Sequence, residues 1–337
     1  YFRTMILVTG GTGLVGSHLL YHLTQKNDVI KAIYRTDEKK EHVKKIFSFY
    51  TDDVALPFSK IEWIQADITD VPSLEPVFKN ITEVYHCAAL VSFNPKDYRK
   101  MRQVNIDGTA NMINLSIDNH IKKFCFVSSI AAVGNAINGK PIDEKNEWAD
   151  SDNNNEYSIT KYGAEMEVWR GSQEGLEVVI VNPGVILGSG FWTEGSGKLF
   201  TQINNGFKFY TEGITGFVDV KDVVKSMILL MNSDIKNERF VLVAENKSFK
   251  DILVAIANGL DKKKPSIKIG KTATAVFWRI DWLLTFLTKK EPLLTKNSAK
   301  ASHNKSYYSS KKITKKLNFK FNSINETINR VCENFFS

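Results

Sequence analysis

The chain has 337 residues, of which 43% are hydrophobic and 24% are charged, with 20 glycines, 8 prolines and 3 cysteines. This ordinary globular composition excludes a disordered, collagen-like or disulfide-stapled chain. The formal net charge is +8, but residues 261–337 hold 17 Lys/Arg and 5 Asp/Glu, or +12, while the first 260 hold 28 and 32, or −4. The basic excess therefore belongs to the C-terminal quarter, where it indicates either an acidic partner or a solvated face.

Seven short apolar runs predict strands, and most are nearly continuous in apolar character, which is typical of strands buried on both faces of a parallel sheet. They are residues 5–8, 29–34, 61–64, 83–87, 123–127, 177–181 and 239–243. Helical periodicity lies between them at residues 14–25, 97–119, 157–172 and 220–231. This alternation predicts an α/β fold, a doubly wound parallel sheet of about seven strands.

The pattern loosens after Gly188, and from about residue 245 helices dominate. We therefore expect a first domain of residues 1–187, to which residues 217–244 return. A smaller, mostly helical C-terminal domain would comprise residues 188–216 and 245–337. Aromatic residues of the loose stretch predict either an apolar lid over a substrate pocket or simply the core of the smaller domain. They are Phe191, Trp192, Phe200, Phe207, Phe209 and Tyr210.

A glycine-rich loop follows the first strand and opens the first helix, and it reads Thr9-Gly10-Gly11-Thr12-Gly13-Leu14-Val15-Gly16. Glycines let a pyrophosphate approach the backbone, and the helix N-terminus offers free N–H groups to it. The spacing is Gly10-x-x-Gly13-x-x-Gly16 rather than G-x-G-x-x-G. In this form the loop resembles that of the extended short-chain dehydrogenase/reductase superfamily (the NAD-dependent epimerase/dehydratase family). The resemblance implies a Rossmann-like fold and a dinucleotide cofactor.

The end of the second strand bears on which dinucleotide binds. An acidic residue there accepts bonds from the ribose hydroxyls of NAD, but this chain has Arg35 after Tyr34. An arginine pairs with a 2′-phosphate, which favours NADP. The alternative is an exposed Arg35 with Asp37 turned back to the ribose, which keeps NAD possible.

Tyr157 and Lys161 form a Tyr-x-x-x-Lys pair on a predicted helix, where a four-residue spacing places both side chains on one face. A free tyrosine has a pKa of about 10. We expect the nearby lysine to lower it and make Tyr157 usable as a general acid or base. Ser129 follows the fifth strand, at the sheet edge that faces the ligand crevice, where its hydroxyl can hold a substrate carbonyl beside Tyr157.

The resemblance assigns roles to these residues. It places the catalytic serine at Ser129, with Ser128 on the cofactor side, and matches Asn105 to a helix asparagine that anchors a proton-relay water. It implies hydride transfer between nicotinamide and a carbonyl or alcohol carbon. The predicted catalytic residues are Ser129, Tyr157, Lys161 and Asn105. The predicted cofactor contacts are Gly10, Thr12, Gly13, Leu14, Val15, Gly16, Arg35, Asp67, Ile68, Ala88, Ala89, Val127, Tyr157, Lys161, Pro183, Gly184 and Val185.

Three further segments resemble the dihydroflavonol reductase and hydroxysteroid dehydrogenase branch, namely residues 181–188, 291–295 and 308–312. Sugar-nucleotide enzymes often carry an arginine before the shared signature at 217–223, but Thr215-Gly216 stands there. Sugar dehydratases place Asp-Glu after the catalytic hydroxyl residue, whereas this chain has Ile130-Ala131. We expect an NADP(H)-dependent reductase or dehydrogenase acting on a small hydrophobic substrate. The alternatives are a nucleotide-sugar epimerase with tightly bound NAD and a non-catalytic dinucleotide sensor.

Few other partners are expected. Three scattered cysteines without a CxxC pair indicate reduced thiols, no cluster of ligands indicates a metal, and His18 and His22 are expected on the surface. We expect no signal peptide, because Met5 opens directly into a short apolar strand, and the longest apolar stretch, residues 273–287, is interrupted by two charges. We expect a cytoplasmic protein with no membrane or nucleic-acid partner. The resemblance favours a homodimer formed through helices 97–119 and 157–172.

Overall fold

The computed structural model describes residues 5–26, 29–149, 154–288 and 295–336, with no side chains described for residue 280 or residues 282–288. Residues 291–294 of the reductase-like motif at 291–295 lie outside the described residues. Among the described residues, no helix combines the length and apolar character needed to cross a bilayer.

All seven predicted strands are present and form one parallel sheet. Twelve strands are described: β1 Ile6–Thr9, β2 Ile30–Tyr34, β3 Ile61–Gln65, β4 Glu83–His86, β5 Lys123–Val127, β6 Glu177–Pro183, β7 Val185–Leu187, β8 Phe209–Tyr210, β9 Ile214–Asp219, β10 Glu238–Leu242, β11 Glu245–Ser248 and β12 Ile267–Lys268. The central sheet has the order β10-β6-β5-β4-β1-β2-β3. The predicted doubly wound fold is confirmed, and its strand order reverses direction between β1 and β4.

Helices cover both faces of this sheet. They are α1 Leu14–Thr24, α2 Asp37–Phe47, α3 Ala55–Ser59, α4 Val71–Leu74, α5 Tyr98–Met101, α6 Gly108–Asp118, α7 Glu156–Gln173, α8 Gly197–Asn204, α9 Val220–Met231, α10 Phe249–Gly259, α11 Lys271–Thr288, α12 Lys296–Ala301, α13 Lys311–Leu317 and α14 Ile324–Glu333. Strand alternation divides the core between the faces: Ile6 and Val8 pack with α1 and α9, and Leu7 packs with α6 and α7. Burial on both faces explains the continuous apolar runs.

The predicted helix at 97–119 is not one regular helix. Residues Arg102–Asp107 form a π-helical segment between α5 and α6. Directly after it, a Cβ on Gly108 would lie 2.7 Å from Ile68 Cδ1, so the backbone approaches the loop after β3 closely. π segments of this kind are frequent at functional sites.

The C-terminal part adds a third apolar core, in which α8, α10 and α14 pack together. Two small sheets accompany it, β11-β9-β7 and β12-β8. Of the loosely patterned aromatic residues, Phe200 is fully buried in this core and Trp192 and Tyr210 pack against it. On the basis of this core we propose that residues 188–216 and 245–337 form a second domain.

Candidate active site

The predicted site residues lie at one edge of the central sheet. Because its strands are parallel, their carboxyl ends share an edge, and a ligand crevice opens where the strand order reverses. Gly10 follows β1, Arg35 follows β2, Ala88 follows β4 and Ser129 lies just after β5. The topology therefore brings together residues that are far apart in sequence.

The loop after β1 requires glycine at two positions. Gly10 has φ +66°, and a Cβ there would lie 2.5 Å from the Ala88 nitrogen. A Cβ on Gly16 would lie 2.1 Å from the Gly10 oxygen, so the first turn of α1 packs directly on the loop. Gly13 is the N-cap of α1 and provides no side-chain cap, and no acidic residue stands in the first turn. The N–H groups at this helix start are thus suited to an anionic phosphate.

The remaining predicted contacts on this loop are Thr12, Leu14 and Val15. Thr12 and Leu14 are half-buried, whereas Val15 is 9% exposed and belongs to the core. The Val15 side chain therefore anchors the helix in the core.

Two carboxylates lie near the ends of β2 and β3, those of Asp37 and Asp67, and each is bound to a partner other than Arg35. Arg35 is exposed. Asp37 begins α2 and pairs with Lys40, with 2.7 Å between Lys40 Nζ and Asp37 Oδ1. Asp67 Oδ1 accepts bonds from the backbone N–H and hydroxyl of Thr69, at 2.9 and 2.8 Å. Asp37 thus faces Lys40, and the Asp67 carboxylate closes its own turn while Ile68 beside it is buried.

A buried histidine lies beneath the crevice, next to the predicted contacts Ala88 and Ala89. His86 Nδ1 is 2.6 Å from Thr9 Oγ1 and its Nε2 is 3.1 Å from Thr109 Oγ1, which joins β1 and β4 to α6. Burial lowers the pKa of His86 to about 3, so the ring is neutral and bridges the two threonines.

Tyr157 and Ser129 lie close together at the carboxyl edge of the sheet. An Asn155–Ser158 capping box starts α7 and fixes Tyr157 in its first turn. Ser129 Oγ accepts a bond from the Ala131 N–H at 3.1 Å, so its hydroxyl proton is available to another acceptor. Burial raises the pKa of Tyr157, and the hydrogen bond from Ser129 opposes that increase.

Lys161 lies one turn further along α7 and is 1% exposed. Its Nζ donates to the Val127 carbonyl at 2.8 Å and lies 4.4 Å from the centre of the Phe126 ring. Burial lowers the pKa of Lys161 to about 8, against opposing attraction from Glu165 and Cys87. The ammonium is therefore directed at the end of β5, where the predicted contact Val127 lies.

The expected decrease in the pKa of Tyr157 is wrong for the protein as it stands. Desolvation of the phenol is the larger effect and raises the pKa, and the group that lowers it is Ser129, not Lys161. The reason is geometric, because the ammonium of Lys161 is held by the Val127 carbonyl.

Asn105 lies in the π-helical segment and is 1% exposed. Its Oδ1 accepts from the Leu90 N–H at 2.7 Å, and its Nδ2 donates to the Leu90 oxygen at 3.0 Å and to Thr160 Oγ1 at 3.1 Å. The amide thus fastens the loop after β4 to α7. Both amide hydrogens are used in this way, so a water would have to bind Asn105 at an oxygen.

A buried network behind Ser129 was missed by the sequence reasoning. Glu165 is fully buried on α7. Its Oε2 accepts from Ser128 Oγ at 2.6 Å and Asn182 Nδ2 at 2.8 Å, and its Oε1 accepts from Arg239 Nη1 at 3.1 Å. Asn182 Nδ2 also donates to the Ser129 carbonyl at 3.1 Å. The sequence signal is a carboxylate four residues after Lys161, on the same face of the helix.

The predicted contacts on β6 and β7 shape the backbone of the crevice. A Cβ on Gly184 would lie 2.4 Å from the Gly216 oxygen, so this glycine is required by the close approach of β9. Pro183 is the last residue of β6, and Val185 pairs with Phe217 in β9. On the substrate side, Phe93 is 43% exposed, with its ring centre 5.8 Å from that of Tyr157.

The expectation of surface histidines is wrong for His18. This residue is 2% exposed, with Nδ1 2.5 Å from the Tyr50 hydroxyl and Nε2 3.2 Å from the Ser189 oxygen. It faces the segment after β7 rather than solvent, because the C-terminal part of the chain covers this side of α1. His22 is half-buried.

Comparisons with known proteins agree with this geometry. The model of the NAD dependent epimerase/dehydratase family matches residues 6–243. A Synechocystis protein, provisionally named dihydroflavonol 4-reductase, is 25% identical over 331 residues, covering 95% of this chain and 91% of that protein. UDP-glucose 4-epimerase of Vibrio cholerae is 28% identical over 270 residues, 76% of each chain. The structure of UDP-glucose 4-epimerase from Thermotoga maritima, with UDP-glucose, shares the fold: TM-score 0.75, 20% identity and 98% of each chain covered.

Proposed function

The chain belongs to the NAD-dependent epimerase/dehydratase family, and we propose that it is an NADP(H)-dependent oxidoreductase that interconverts a carbonyl and an alcohol on a small hydrophobic substrate. The observation that carries the proposal is the placement of Tyr157 beside Ser129 at the carboxyl edge of the sheet, one helical turn from the buried Lys161. In a hydroxyl pair of this kind, one group can hold a substrate oxygen while the other transfers a proton to or from it.

The residues fit a dinucleotide on structural grounds. Gly10 and Gly16 let the loop, the segment after β4 and the first turn of α1 pack closely together. The uncapped start of α1 then offers N–H groups that suit a pyrophosphate. Lys161 would reach the ribose next to Val127. A bound nicotinamide cofactor would supply or accept the hydride.

The chain's own residues would handle the proton. Ser129 donates a hydrogen bond to the substrate oxygen and holds it beside the phenol. Tyr157 gives its proton to that oxygen during reduction and takes it back during oxidation. The hydrogen bond from Ser129 stabilises negative charge that develops at the phenol, and the buried ammonium of Lys161 would bind the cofactor ribose.

Arg35 supports NADP over NAD. It is exposed at the carboxyl end of β2, and the neighbouring acid that would replace it at the ribose, Asp37, is paired with Lys40. A guanidinium in this place favours a cofactor with a 2′-phosphate.

The surroundings of Tyr157 support an apolar substrate. Val91 and Phe93, on the loop after β4, are 57% and 43% exposed, and Phe93 lies against the Tyr157 ring. Thr215 and Gly216 precede the 217–223 signature without an arginine to bind a sugar diphosphate. Apolar walls with a few placed polar groups are typical of sites for small hydrophobic molecules.

The test is carbonyl-dependent oxidation of NADPH by the purified protein across a set of aldehydes and ketones. Tyr157→Phe should reduce turnover by roughly 100-fold or more, because it removes the proton donor. Tyr162→Phe is the matched control: it changes a tyrosine of the same helix that stacks on Trp148, and turnover should persist. Full activity in Tyr157→Phe would exclude the proposed role of Tyr157, whereas binding of NADPH by the wild type without turnover of any carbonyl would favour a dinucleotide sensor.

An epimerase is the second candidate, favoured by the 28% identity to the Vibrio cholerae enzyme over 76% of each chain. It would hold NAD through purification and convert a nucleotide sugar with no net oxidation of added cofactor. Detection of retained NAD together with UDP-sugar interconversion would replace the reductase proposal.

The proposal includes a homodimer in the cytoplasm. On α7, Ile159 and Met166 are 38% and 36% exposed, and apolar side chains on an outward helix face are suited to a subunit contact. The three cysteines are free thiols, as expected in a reducing compartment. Sedimentation velocity at micromolar concentration measures the assembly, and a monomer would contradict the dimer.

A further inference from the structure

Apolar side chains gather on the outer surface of the C-terminal part. Phe207, Ile267, Val276 and Phe277 are 37%, 45%, 51% and 46% exposed. Phe209 joins them, since its ring centre lies 5.7 Å from that of Phe207 and 6.3 Å from that of Phe277, and it pairs with Ile267 between β8 and β12. We call these five residues the β8–α11 patch. A single exposed apolar residue is normal, but a contiguous group indicates an interaction surface.

Cations surround this patch. The exposed Lys208 lies between Phe207 and Phe209 in the sequence, and the exposed run Lys262–Lys264 precedes β12. Residues 262–280 contain six Lys/Arg and no Asp or Glu. Of the nearby acids, Glu212 is paired with Lys268 at 2.5 Å, Asp261 is exposed at the start of the run, and the half-buried Asp281 follows its end. The rim is therefore strongly positive and complements an anionic partner.

An anionic lipid surface fits both features at once. Apolar and aromatic side chains enter the boundary between headgroups and acyl chains, while lysines around them contact lipid phosphates. A nucleic acid would use the lysines and could stack on the phenylalanines, but it offers nothing apolar for Ile267 and Val276. The combination of aliphatic and aromatic exposure thus favours the bilayer.

The patch is connected to the active-site helix. Thr274 Oγ1 of α11 lies 2.8 Å from Nε2 of His303, a residue that follows α12. Within α12, Asn297 hydrogen-bonds the Glu156 carboxylate, and Glu156 immediately precedes Tyr157. A surface bound at α11 would accordingly lie beside the part of the chain that borders the crevice.

We propose that the β8–α11 patch docks the protein on an anionic phospholipid membrane, from which the enzyme takes its apolar substrate. The second half of this statement rests on the proposed reductase function, and the first does not. The attachment is peripheral. It differs from the sequence-based expectation that the protein has no membrane partner.

The test is co-sedimentation of the full chain with vesicles of phosphatidylcholine alone or with roughly 30% phosphatidylglycerol. The wild type should bind only the anionic vesicles, and less so as salt rises above about 0.1 M. Replacing Lys262–Lys264 by glutamate should weaken binding by on the order of 100-fold, at roughly 5-fold per lysine. Val276→Asp with Phe277→Asp should also abolish it.

Matched controls separate the patch from general charge and apolarity. Lys311→Glu with Lys315→Glu changes exposed lysines on α13, and Leu56→Asp changes a 61% exposed leucine on α3. Both should bind like the wild type. NADPH oxidation with a water-soluble aldehyde should be unchanged in the patch variants, so loss of docking and loss of catalysis are read separately.

Two results would overturn docking: no binding of the wild type to anionic vesicles, or equal binding by the patch variants. Patch-dependent retention of single-stranded RNA without vesicle binding would assign the surface to nucleic acid instead. A patch-dependent increase in mass by light scattering, again without vesicle binding, would assign it to a second copy of the chain. Vesicle binding without any carbonyl turnover would keep the docking and remove the proposed function.

Discussion

Lys161 sets the pH range in which the site has its full charge. Burial lowers its pKa to about 8, whereas burial raises the pKa of Tyr157. As pH rises through about 8, the lysine loses its proton first, and binding of the cofactor ribose should weaken with it. We expect the affinity for NADPH to fall above about pH 8, by up to tenfold per pH unit, as measured by fluorescence titration from pH 6.5 to 9.5.

The variant Lys161→Met identifies the group responsible. It removes the ammonium while keeping an unbranched apolar side chain in a buried position, so its affinity for NADPH should be weaker and nearly constant with pH. A break near pH 8 that persists in Lys161→Met would assign the titration to another residue.

Arg35 is expected to determine cofactor choice. One charge-assisted bond to a 2′-phosphate contributes about 1.5–3 kcal/mol, which corresponds to roughly 10–100-fold in affinity. Arg35→Ala should lose that factor for NADPH and change little for NADH, as measured by dissociation constants of both. Lys45→Ala, an exposed cation in the last turn of α2, is the control. An equal loss for both cofactors would argue against a 2′-phosphate contact.

Helix α7 depends on its buried ion pair with β10. Arg239 Nη1 lies 3.1 Å from Glu165 Oε1, with side-chain exposures of 14% and 0%. Removing one partner of such a pair costs about 3–5 kcal/mol, because the other charge stays buried. Glu165→Gln should lower the free energy of unfolding by about 3 kcal/mol in urea titrations. It should also lower kcat more than it changes KM, since Asn182 then loses a partner while holding the Ser129 carbonyl.

Two comparisons make this prediction specific. Glu174→Gln breaks an exposed pair with Arg170 on the same helix and should cost no more than about 1 kcal/mol. Combining Glu165→Leu with Arg239→Met removes both charges and should recover most of the lost stability. If the double variant were as unstable as Glu165→Gln, the main contribution would be the other polar bonds of the two residues: those of Glu165 with Ser128 and Asn182 and those of Arg239 with the Glu144 and Asn146 carbonyls.

The elements differ in how far sequence could predict them. The strands and the glycine loop could be predicted because their signals lie in residues close together in sequence. A continuous apolar run indicates burial on two faces, and Gly10 and Gly16 are only six positions apart. No local signal predicts the π-helical segment, and the close contact of Gly108 with Ile68 directly after it joins residues that are far apart in sequence. The Glu165 network likewise joins three strand ends to α7, and only its spacing from Lys161 is visible in the sequence.

Across the whole molecule, polar contacts fasten the C-terminal segments to the central sheet. Arg330 of α14 donates to both oxygens of Asp219 at 2.7 Å, at the junction of β9 and α9. Close by, His18 of α1 bonds the Ser189 carbonyl. These contacts bring charges from distant parts of the chain together, so protonation at this junction affects the entire fold.

His18 is the group whose protonation the fold opposes. Burial lowers its pKa to about 3, and His22, Arg330 and Lys221 disfavour a further positive charge. Asp219 also lies at this junction but is bound by Arg330. Between pH 6.5 and 3 the unfolded chain therefore binds a proton that folded His18 does not, and stability falls as pH falls. His86 behaves alike, with a pKa lowered to about 3.

Comparison of the wild type with His18→Gln isolates the contribution of His18 to the pH dependence of the unfolding free energy. From pH 7.5 to 5.5 each such histidine should cost about 1.4 kcal/mol of unfolding free energy. Asp222, whose pKa burial raises to about 6, gains stability on acidification and offsets part of the loss. His18→Gln keeps that offset and removes one histidine, so its stability should fall by about 1.4 kcal/mol less than the wild type over this range. Equal decreases in urea titrations at the two pH values would mean that His18 is protonated in the folded protein.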